Sequence, residues 1–517
     1  MNGADTLVKT LLGNGVTGCF ANPGTSEMHF VAALDQHPEL RCILCLFEGG
    51  ASGAADGYFR MSRRVASTLL HLAPGFGNAF ANLHNARKAG SGVLNIVGDH
   101  ATWHQPYETP LRGDTAAISA TISHWTRMVR CAADVAQDGA DAIAAARSNE
   151  GQIATLILPA DTAWDTVPTV ATAISPPPEP LRHPDPEQIA AAATALRLPG
   201  AMLLLDGPAL WSDLRLVAAR IAKATGCQLV CPCFAARIGR GQGALRVRRM
   251  AFRIADNIRA MADVPALVLC GTDRPAGFFA YPGLPSVPEP AGCAVLNLCG
   301  PDMDSGWTLQ ALAQALGCAD LALDAADLQP LALPPVPGGA VTLPKLGQAM
   351  AALLPQDAIV VDEMISSGPA VAPEMLGARA HDWLNISGGS IGYGLPCAVG
   401  AAVACPGRKV LALQADGSGM YTLQSLWTMA RERLDVCVVI LANRGYRILR
   451  LEMAAVGATP GRNAARMFDI EDPELDWVAL AKGHGVDALR VTDTDQFVTA
   501  FGDAMGRKGP FLIEVVC

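Results

Sequence analysis

The segment that decides the fold is residues 409–447, KVLALQADGSGMYTLQSLWTMARERLDVCVVILANRGYR. Its apolar runs over 409–414 and 436–441 have the length of strands. The second run, β-branched and uninterrupted, is typical of a strand buried on both faces. Residues 420–433 between the runs carry apolar side chains at helical spacing. The pattern predicts a strand–helix–strand unit whose two strands run parallel, joined by a right-handed crossover.

Polar residues follow both predicted strands of this unit. Asp416 follows the first strand and Asn443 the second, so both are expected at the carboxyl edge of one parallel sheet, where open α/β sheets bind ligands. Gly417 and Ser418 let backbone N–H groups approach an anion at the start of the helix. A carboxylate, an amide oxygen and a backbone carbonyl near Gly445 suit Mg²⁺, which shares its shell with phosphates. We predict a Mg²⁺–diphosphate site; the plainer alternative is a βαβ unit with a surface aspartate.

This motif is similar to that of a known family. Asp-Gly-Ser, a helix, an apolar strand and Asn-x-Gly-Tyr resemble the thiamine-diphosphate motif of the decarboxylase and acetohydroxyacid-synthase superfamily. The resemblance implies that the metal is held by the side chains of Asp416 and Asn443 and by the backbone carbonyl of Gly445. Two positions depart from the family pattern, because Ala415 replaces the usual glycine and Ala442 the first asparagine of the usual pair. Neither change removes a side-chain ligand.

A glutamate ends an apolar run near the N-terminus. Residues 41–47, RCILCLF, predict a buried strand that ends at Glu48, and residues 49–58 continue as a helix of very small residues. A carboxylate in such surroundings is poorly solvated and suited to exchanging a proton. In the family, a glutamate at this position exchanges a proton with the aminopyrimidine of the cofactor so that the C2 ylid can form. Glu48 matches that position, although a helix N-cap carboxylate would give the same pattern.

A turn and a histidine in the same region resemble decarboxylases. In benzoylformate decarboxylase and its relatives, a turn like Asn22-Pro23-Gly24-Thr25 lines the active site, and Thr25 falls where that family has a serine hydroxyl. His71 ends an apolar run at a place where the family's decarboxylases have a histidine. Imidazole suits proton transfer near neutral pH. The alternative for His71 is a core histidine with satisfied hydrogen bonds.

Two further stretches bear on the substrate. After a predicted strand over 93–97, a loop carries His100 and His104, which could face the substrate as histidines do in pyruvate decarboxylase-like enzymes; a solvated loop is the alternative. Residues 278–283 fall where benzoylformate decarboxylase presents a second catalytic histidine, and they contain none. That departure favours a different proton donor or a carboligation reaction.

A glycine-rich segment over 385–396 matches the family's second cofactor segment, in which a bulky apolar residue keeps the cofactor in a V shape. Ile391 takes that place, and a tight helix-packing turn is the alternative. The residues assigned to the cofactor by resemblance are Asn22, Pro23, Gly24, Asn78, Ser366, Gly389, Ser390, Ile391, Gly417, Ser418, Tyr421 and Tyr446.

Composition sets the class of protein. The 517 residues are 50% hydrophobic and 17% charged, with a net charge of −9, which argues against nucleic-acid and membrane-surface partners. We find neither a secretory signal nor an apolar run of about 18 residues, so a cytoplasmic protein is expected. The 15 cysteines are scattered. The group at 227–233 has no second cluster at zinc spacing, so core thiols are expected there.

Two proline-rich stretches, 173–189 and 328–339, indicate linkers. They divide the chain into three expected domains, 1–172, 190–325 and 340–517. The resemblance implies that the first binds the pyrimidine of the cofactor and the third its diphosphate, with a Rossmann-like domain between them. The expected class is α/β, with three doubly wound parallel-sheet domains. The central glycines form no G-x-G-x-x-G fingerprint, so FAD is not expected. The resemblance also implies a homodimer or homotetramer with active sites between subunits.

The resemblance implies a thiamine-diphosphate- and Mg²⁺-dependent enzyme that decarboxylates a small 2-oxo acid, with His71, Thr25 and His104 moving protons. The enamine then undergoes carboligation, as in acetolactate synthase, or protonation to an aldehyde, as in benzoylformate decarboxylase. A nicotinamide or flavin dehydrogenase should carry the missing glycine fingerprint. A catalytically silent relative would be expected to lack Glu48 or a metal ligand. Residues 448–475 are polar and are expected to close over the site as a lid.

Overall fold

A computed structural model describes residues 1–167 and 172–517. Residues 168–171, which the sequence placed at the end of the first domain, lie outside the described residues. The strands assemble into three sheets, in which neighbouring strands pair in parallel except at one edge. This arrangement confirms the predicted α/β class, whereas the domain boundaries stay predictions.

The first sheet has six strands in the order β2-β1-β3-β4-β6-β5. They are β1 (Gly18–Ala21), β2 (Arg41–Leu44), β3 (Ala66–Leu70), β4 (Val93–Asp99), β5 (Trp125–Met128) and β6 (Ile153–Pro159). The helices are α1 (Gly3–Gly13), α2 (Met28–Leu34), α3 (Glu48–Ser62), α4 (Leu72–Lys88), α5 (Thr115–Ala120), α6 (Val135–Arg147) and α7 (Ala160–Trp164). β2 ends three residues earlier than the apolar run of 41–47, because the chain leaves its pairing with β1 at Leu44.

The central sheet has five strands in the order β10-β8-β7-β11-β12. The strands of this part of the chain are β7 (Met202–Leu205), β8 (Gln228–Cys231), β9 (Arg237–Arg240), β10 (Arg248–Arg249), β11 (Ala266–Cys270) and β12 (Ala294–Cys299). The helices are α8 (Pro186–Leu196), α9 (Leu214–Thr225), α10 (Ile254–Ala260) and α11 (Ser305–Ala315). β9 belongs to a different sheet, because it pairs antiparallel with a strand of the third.

The third sheet has seven strands in the order β17-β18-β16-β15-β13-β14-β9. Its own strands are β13 (Ala358–Glu363), β14 (His381–Asn385), β15 (Val410–Ala415), β16 (Val436–Ala442), β17 (Asp487–Val491) and β18 (Phe511–Val516). The helices are α12 (Leu343–Leu353), α13 (Gly368–Val371), α14 (Gly394–Ala404), α15 (Asp416–Gly419), α16 (Ser425–Arg431), α17 (Arg447–Ala455), α18 (Arg462–Phe468), α19 (Trp477–Gly483) and α20 (Thr494–Gly506).

The two strands of the predicted strand–helix–strand unit are confirmed, since β15 and β16 pair in parallel over six residues each. The single helix predicted over 420–433 is wrong. The structure has two shorter helices, α15 and α16, separated by residues 420–424. Thr422 in this break donates its hydroxyl to the carbonyl oxygen of Gly392 at 3.0 Å, which fixes the chain away from a continuous helix.

The first and third parts of the chain share one buried core. Helices α3 and α14 pack backbone to backbone, because a Cβ at Gly400 would overlap the carbonyl oxygen of Ala54. Arg60, buried and paired with Asp56 at 2.6 Å, donates to the carbonyl oxygen of Asn385 at 2.6 Å. The small residues of α3 therefore allow close packing between the two sheets.

A second core joins the central sheet to the third. No helix in the described part of the chain combines the length and apolar character needed to cross a membrane. Residues 1–167 and 172–517 also contain no group of three or more histidine, cysteine or acidic side chains placed to hold a metal. The cysteines near residue 231 are free, as expected for core thiols.

Candidate active site

Several predicted site residues meet at the carboxyl edge of the first sheet. The turn after β1 carries Thr25, the segment after β2 leads to Glu48, and His71 directly follows β3. These strands are neighbours in the sheet. We call the group formed by Thr25, Glu27, Glu48, His71 and Asn78 the glutamate cluster.

Glu48 is the first residue of α3 and is 7% exposed. Its Oε2 accepts a hydrogen bond from Nδ2 of Asn78 at 3.0 Å. Among the described residues, no basic side chain lies within 4.0 Å of the Glu48 carboxylate. Glu48 is thus a buried carboxylate held by the amide of Asn78, with no basic partner among the described residues.

His71 is held by a second buried carboxylate that the sequence did not reveal. Nδ1 of His71 lies 3.0 Å from Oε2 of Glu27, which is 3% exposed. The backbone N–H of Gly24 donates to the same oxygen at 2.6 Å. A Cβ at Gly24 would overlap the imidazole, so only glycine lets the turn pack against His71. This glutamate could be found only by knowing that the turn and the end of β3 are neighbours.

The turn after β1 carries two hydroxyls, and that of Ser26 lies near this pair. Ser26 lies 3.2 Å from Nδ1 of His71 and donates to Glu27. Thr25 is exposed, and in the described structure its hydroxyl makes no hydrogen bond, so it is free to meet a ligand. Asn22 and Pro23 are partly buried in the same turn.

His100 and His104 lie in a separate loop after β4. Their rings are 5.6 Å apart, and Nε2 of His100 lies 2.9 Å from the hydroxyl of Thr109. The centroid of the His104 ring also lies 5.6 Å from that of the exposed Trp103 ring. Within the described ranges, no hydrogen bond joins either histidine to the glutamate cluster. The catalytic role predicted for His104 stays a prediction.

A second group lies at the carboxyl edge of the third sheet. Asp416 follows β15, and the turn Asn443-Arg444-Gly445 follows the neighbouring strand β16. Oδ2 of Asp416 accepts from the backbone N–H of Arg444 at 2.6 Å, and Oδ1 accepts from that of Gly417 at 2.9 Å. Oδ1 of Asn443 accepts from the backbone N–H of Gly445 at 3.1 Å. We call Asp416, Asn443 and Gly445 the aspartate cluster.

Asp416 carries a buried charge without a cationic partner. It is 3% exposed, and burial raises the pKa of its carboxyl group above the usual range. Across the described residues, no lysine, arginine or histidine pairs with it, and the guanidinium of Arg444 reaches Glu474 instead, at 2.7 Å. Because burying an unpaired carboxylate is costly, a bound cation would stabilise this arrangement. The donor set of carboxylate, amide and carbonyl oxygens fits Mg²⁺.

The two predicted tyrosines lie beside this cluster. The ring of Tyr446 covers Gly417, where a Cβ would lie 2.7 Å from the ring. Burial raises the pKa of Tyr446, and the nearby Tyr421 and Asp416 raise it further. The hydroxyl of Ser418 is used within the chain, since Gln414 donates to it at 2.6 Å. The Ser418 hydroxyl is therefore engaged within the chain, as is the backbone N–H of Gly417, which donates to Asp416.

The glycine-rich segment is fixed from both sides. Asn85 bonds both backbone groups of Ser390, donating to its carbonyl at 2.8 Å and accepting from its N–H at 3.2 Å. Oε1 of Glu363, a residue 1% exposed, accepts from the backbone N–H of Gly392 at 2.6 Å. Burial raises the pKa of Glu363 to about 7. Ile391, adjacent to both anchors, is partly buried.

Sequence reasoning missed Glu363, which is the last residue of β13. The sequence feature that could have revealed Glu363 is an acidic residue at the end of a fully buried strand. Ser366 lies just beyond this end, after Ile365, and is partly buried.

The loop between β11 and β12, which we call the central loop, lies against the glycine-rich segment. The rings of Phe234, Phe252, Phe278 and Phe279 form one cluster, with centroids 4.8–6.3 Å apart. A Cβ at Gly389 would lie 2.5 Å from the Phe278 ring. The stretch 278–283, which contains no histidine, thus places the aromatic ring of Phe278 against Gly389, a residue assigned to the cofactor.

Comparison with known proteins identifies the chain. Residues 1–121 match the description "Thiamine pyrophosphate enzyme, N-terminal TPP binding domain", and residues 373–515 match "Thiamine pyrophosphate enzyme, C-terminal TPP binding domain". The chain is 47% identical to the putative acetolactate synthase large subunit IlvX of Mycobacterium tuberculosis, over 100% of this chain and 99% of the relative. The chain belongs to the thiamine pyrophosphate enzyme family.

Two further relatives of this thiamine pyrophosphate enzyme are decarboxylases by name. Benzoylformate decarboxylase of Pseudomonas aeruginosa is 28% identical over 97% of this chain and 96% of the relative. The solved structure of a thiamine diphosphate-dependent 4-hydroxybenzoylformate decarboxylase from Rhodococcus jostii superposes with a TM-score of 0.83 at 25% identity, covering 100% of this chain and 99% of that one. The fold of this chain, with its three mostly parallel sheets, is that of thiamine-diphosphate-dependent enzymes.

The glutamate and aspartate clusters lie on different sheets. In the described parts of the chain, no hydrogen bond or ion pair joins a side chain of one cluster to a side chain of the other. The glutamate cluster contributes a buried carboxylate, Glu48, and the aspartate cluster contributes a set of oxygen donors.

Proposed function

We propose that this protein is a thiamine-diphosphate- and Mg²⁺-dependent enzyme that decarboxylates a small 2-oxo acid. The decarboxylated fragment is then joined to a second carbonyl compound or protonated to an aldehyde. One observation carries the proposal: Glu48 and Asp416 are both buried carboxylates at carboxyl edges of parallel sheets, and neither has a basic partner among the described residues. Glu48 would exchange protons, and Asp416 would hold a cation.

The cofactor, when bound, supplies the electron sink for the electron pair left when the bond to the carboxylate breaks and carbon dioxide leaves. Asp416, Asn443 and the carbonyl of Gly445 would hold Mg²⁺. The backbone of α15 would meet the diphosphate, and Ile391 would support the cofactor from the glycine-rich segment. Glu48, oriented by Asn78, would exchange a proton with the aminopyrimidine ring.

His71 is the group best placed to move a proton to or from the substrate. Its Nδ1 is engaged by Glu27, so Nε2 is free for this transfer. Thr25, with an uncommitted hydroxyl, and His104 are assigned supporting roles. Glu27 acts through His71 and is therefore a positioning residue.

Two outcomes of the reaction are each favoured by an observation. Acetolactate-synthase-like carboligation is favoured by the phenylalanines at 278–279, which replace a possible second proton donor with an apolar surface. Benzoylformate-type release of an aldehyde is favoured by the His71–Glu27 pair, which positions a proton donor at the first sheet. We place carboligation first, with aldehyde release as the alternative.

The same geometry supports an oligomer. Because the two clusters are not joined within one chain, we propose a homodimer or homotetramer in which the glutamate cluster of one subunit faces the aspartate cluster of another. Closed symmetric assemblies of this kind are common. A cytoplasmic location is supported by 15 free cysteines, many of them buried. That FAD is not required stays a prediction.

Product analysis tests the proposal. The purified protein, supplied with thiamine diphosphate and Mg²⁺, is incubated with pyruvate and with benzoylformate, and carbon dioxide, aldehyde and hydroxy ketone are measured. Acetolactate or another hydroxy ketone would support carboligation, and aldehyde alone would support the alternative. Failure to bind the cofactor would contradict the proposal, whereas binding without carbon dioxide would exclude both substrates. The Glu48→Gln variant, expected to bind the cofactor without turnover, is the matched control.

A further inference from the structure

One stretch of the central region is strongly basic in an acidic protein. Residues 237–253, RIGRGQGALRVRRMAFR, contain six arginines and no acidic residue, although the net charge of the chain is −9. Four of these arginines line one cavity of about 610 Å³, between β10 and the strands β9 and β14 at the edge of the third sheet: Arg240, Arg246, Arg248 and Arg249. No acidic side chain lines it, and none of the residues assigned to the active site does.

Direct ion pairs do not neutralise the described arginines of this cavity, although the nearby charge of Asp362 acts on Arg240. Among the described residues, none of the four arginines lies within 4.0 Å of a carboxylate, whereas Arg237 on the same strand pairs with Asp382 at 2.7 Å. Arg246 donates Nε to the carbonyl oxygen of Leu328 at 3.0 Å. Arg249 donates to the side-chain oxygen of Asn385 at 3.3 Å. Since a guanidinium carries five N–H donors, most of them remain available to a ligand.

Arg240 is fixed in place rather than free in solvent. Its guanidinium lies 4.1 Å from the centre of the Trp383 ring and donates to the carbonyl oxygen of Ala372 at 2.7 Å. Burial and the neighbouring charge of Arg249 lower the pKa of Arg240 to about 10. A bound anion would relieve this repulsion.

The cavity has an apolar wall as well as a charged one. Leu245, Val247, Pro373 and Leu376 line it, and its volume falls in the range of about 300–1,000 Å³ that is usual for small-molecule sites. An inorganic anion would leave most of this space unfilled. Guanidinium groups match phosphate oxygens with paired hydrogen bonds. We propose that this cavity binds a small organic phosphate, with its phosphate on the arginines and its organic part against the apolar wall.

The test uses isothermal titration of the full chain, saturated with thiamine diphosphate and Mg²⁺ so that the candidate active site is occupied. The probes are phenyl phosphate, AMP, benzoate and inorganic phosphate. We expect at least one of the two organic phosphates to bind at one site per chain, more tightly than inorganic phosphate or benzoate. Replacing one charged donor, as in Arg246→Gln or Arg248→Gln, should weaken this binding by about tenfold.

Arg220→Gln is the matched control. Its Nε donates to the carbonyl oxygen of Leu321 at 3.1 Å, as that of Arg246 does to Leu328, but Arg220 lies outside the cavity. This variant should bind like the unchanged protein, and all variants should keep its melting temperature. The proposal is overturned if neither organic phosphate binds, if inorganic phosphate or benzoate binds as tightly, or if the cavity variants bind like the control. None of these results depends on turnover.

Discussion

His71 and Glu27 are joined side chain to side chain, with Nδ1 of the histidine 3.0 Å from Oε2 of the glutamate. A carboxylate can only accept hydrogen bonds, so the proton of the neutral imidazole lies on Nδ1. Nε2 is then the nitrogen that takes up or releases a proton. The pair thus fixes both the orientation and the tautomer of the predicted proton carrier.

Replacing Glu27 by glutamine should therefore reduce turnover without removing the cofactor site. Glutamine keeps the size of the side chain but can present an amide N–H to Nδ1, which favours the wrong tautomer. We expect kcat to fall by about tenfold or more, and His71→Ala to lower it by about 10²–10⁴. Steady-state kinetics would measure the fall, and titration would check that cofactor affinity is retained.

Glu187→Gln, an exposed change on α8, is the control and should leave kcat unchanged. Full activity of Glu27→Gln would show that the tautomer of His71 does not matter to the reaction.

Sequence reasoning located the parts of the site that depend on local pattern. Asp416 and Asn443 each follow an uninterrupted apolar run, and such runs fix where a buried parallel strand ends. Glu48 and His71 also end apolar runs. Because carboxyl ends of parallel strands share one edge, the sequence predicts that Asp416 and Asn443 lie close together.

The missed features depend on contacts between distant segments. Glu27 lies 44 residues from His71, and nothing in the sequence near either residue indicates their bond. The break between α15 and α16 depends on Thr422 reaching Gly392, 30 residues away. Helical spacing of apolar residues describes one face of a helix, but it does not record such an anchor.

The Glu48→Gln variant should lose turnover while retaining the cofactor. Glutamine can still accept the hydrogen bond that Asn78 donates at 3.0 Å, so the local structure should be kept. It cannot exchange a proton, which the proposed activation of the cofactor requires. Single-turnover assays with saturating thiamine diphosphate would measure the loss, and calorimetry would measure cofactor binding. Substantial turnover by this variant would remove Glu48 from its assigned role.

Asp416→Ala should weaken Mg²⁺-dependent cofactor retention. The change removes the one carboxylate of the aspartate cluster, and loss of a metal ligand should lower affinity by about 100-fold or more, beyond the effect of outer-shell changes. Cofactor remaining after gel filtration, with and without a chelator, is the measurement. Asp320→Ala, a change at an exposed aspartate outside the aspartate cluster, serves as the control. Equal cofactor retention by both variants would contradict the assignment of Asp416 as a metal ligand.

Tyr281→Phe should loosen the central loop over the site. The hydroxyl of Tyr281 donates to Oε2 of Glu452 in α17 at 2.6 Å, and burial, with this bond, raises the pKa of Tyr281 to about 12. A hydrogen bond to a charged group contributes about 1.5–3 kcal/mol, so its loss should raise KM for the 2-oxo acid by roughly tenfold. Tyr107→Phe, at an exposed tyrosine, is the comparison. An unchanged KM would mean that the loop and α17 close independently of this bond.

Glu363 predicts a pH dependence of stability. Its pKa is about 7 in the folded chain, mainly because of burial, against 4.5 for an ordinary glutamate. Since the folded pKa is the higher one, the stabilising contribution is complete below about pH 4.5 and is lost as the pH rises through 7. At about 1.4 kcal/mol per pKa unit, the free energy of unfolding should fall by up to about 3 kcal/mol across this window from this group alone.

Glu363→Gln should flatten that part of the profile, because glutamine resembles the protonated carboxyl group at every pH. Denaturant unfolding at pH 5, 6, 7 and 8 would give the two curves, and their difference isolates this residue from all other titrating groups. The unchanged protein should lose more stability than the variant between pH 5 and 8. If the two curves run parallel, Glu363 keeps one protonation state throughout, and the buried carboxylate that anchors Gly392 is stabilised by its backbone donors in spite of its burial.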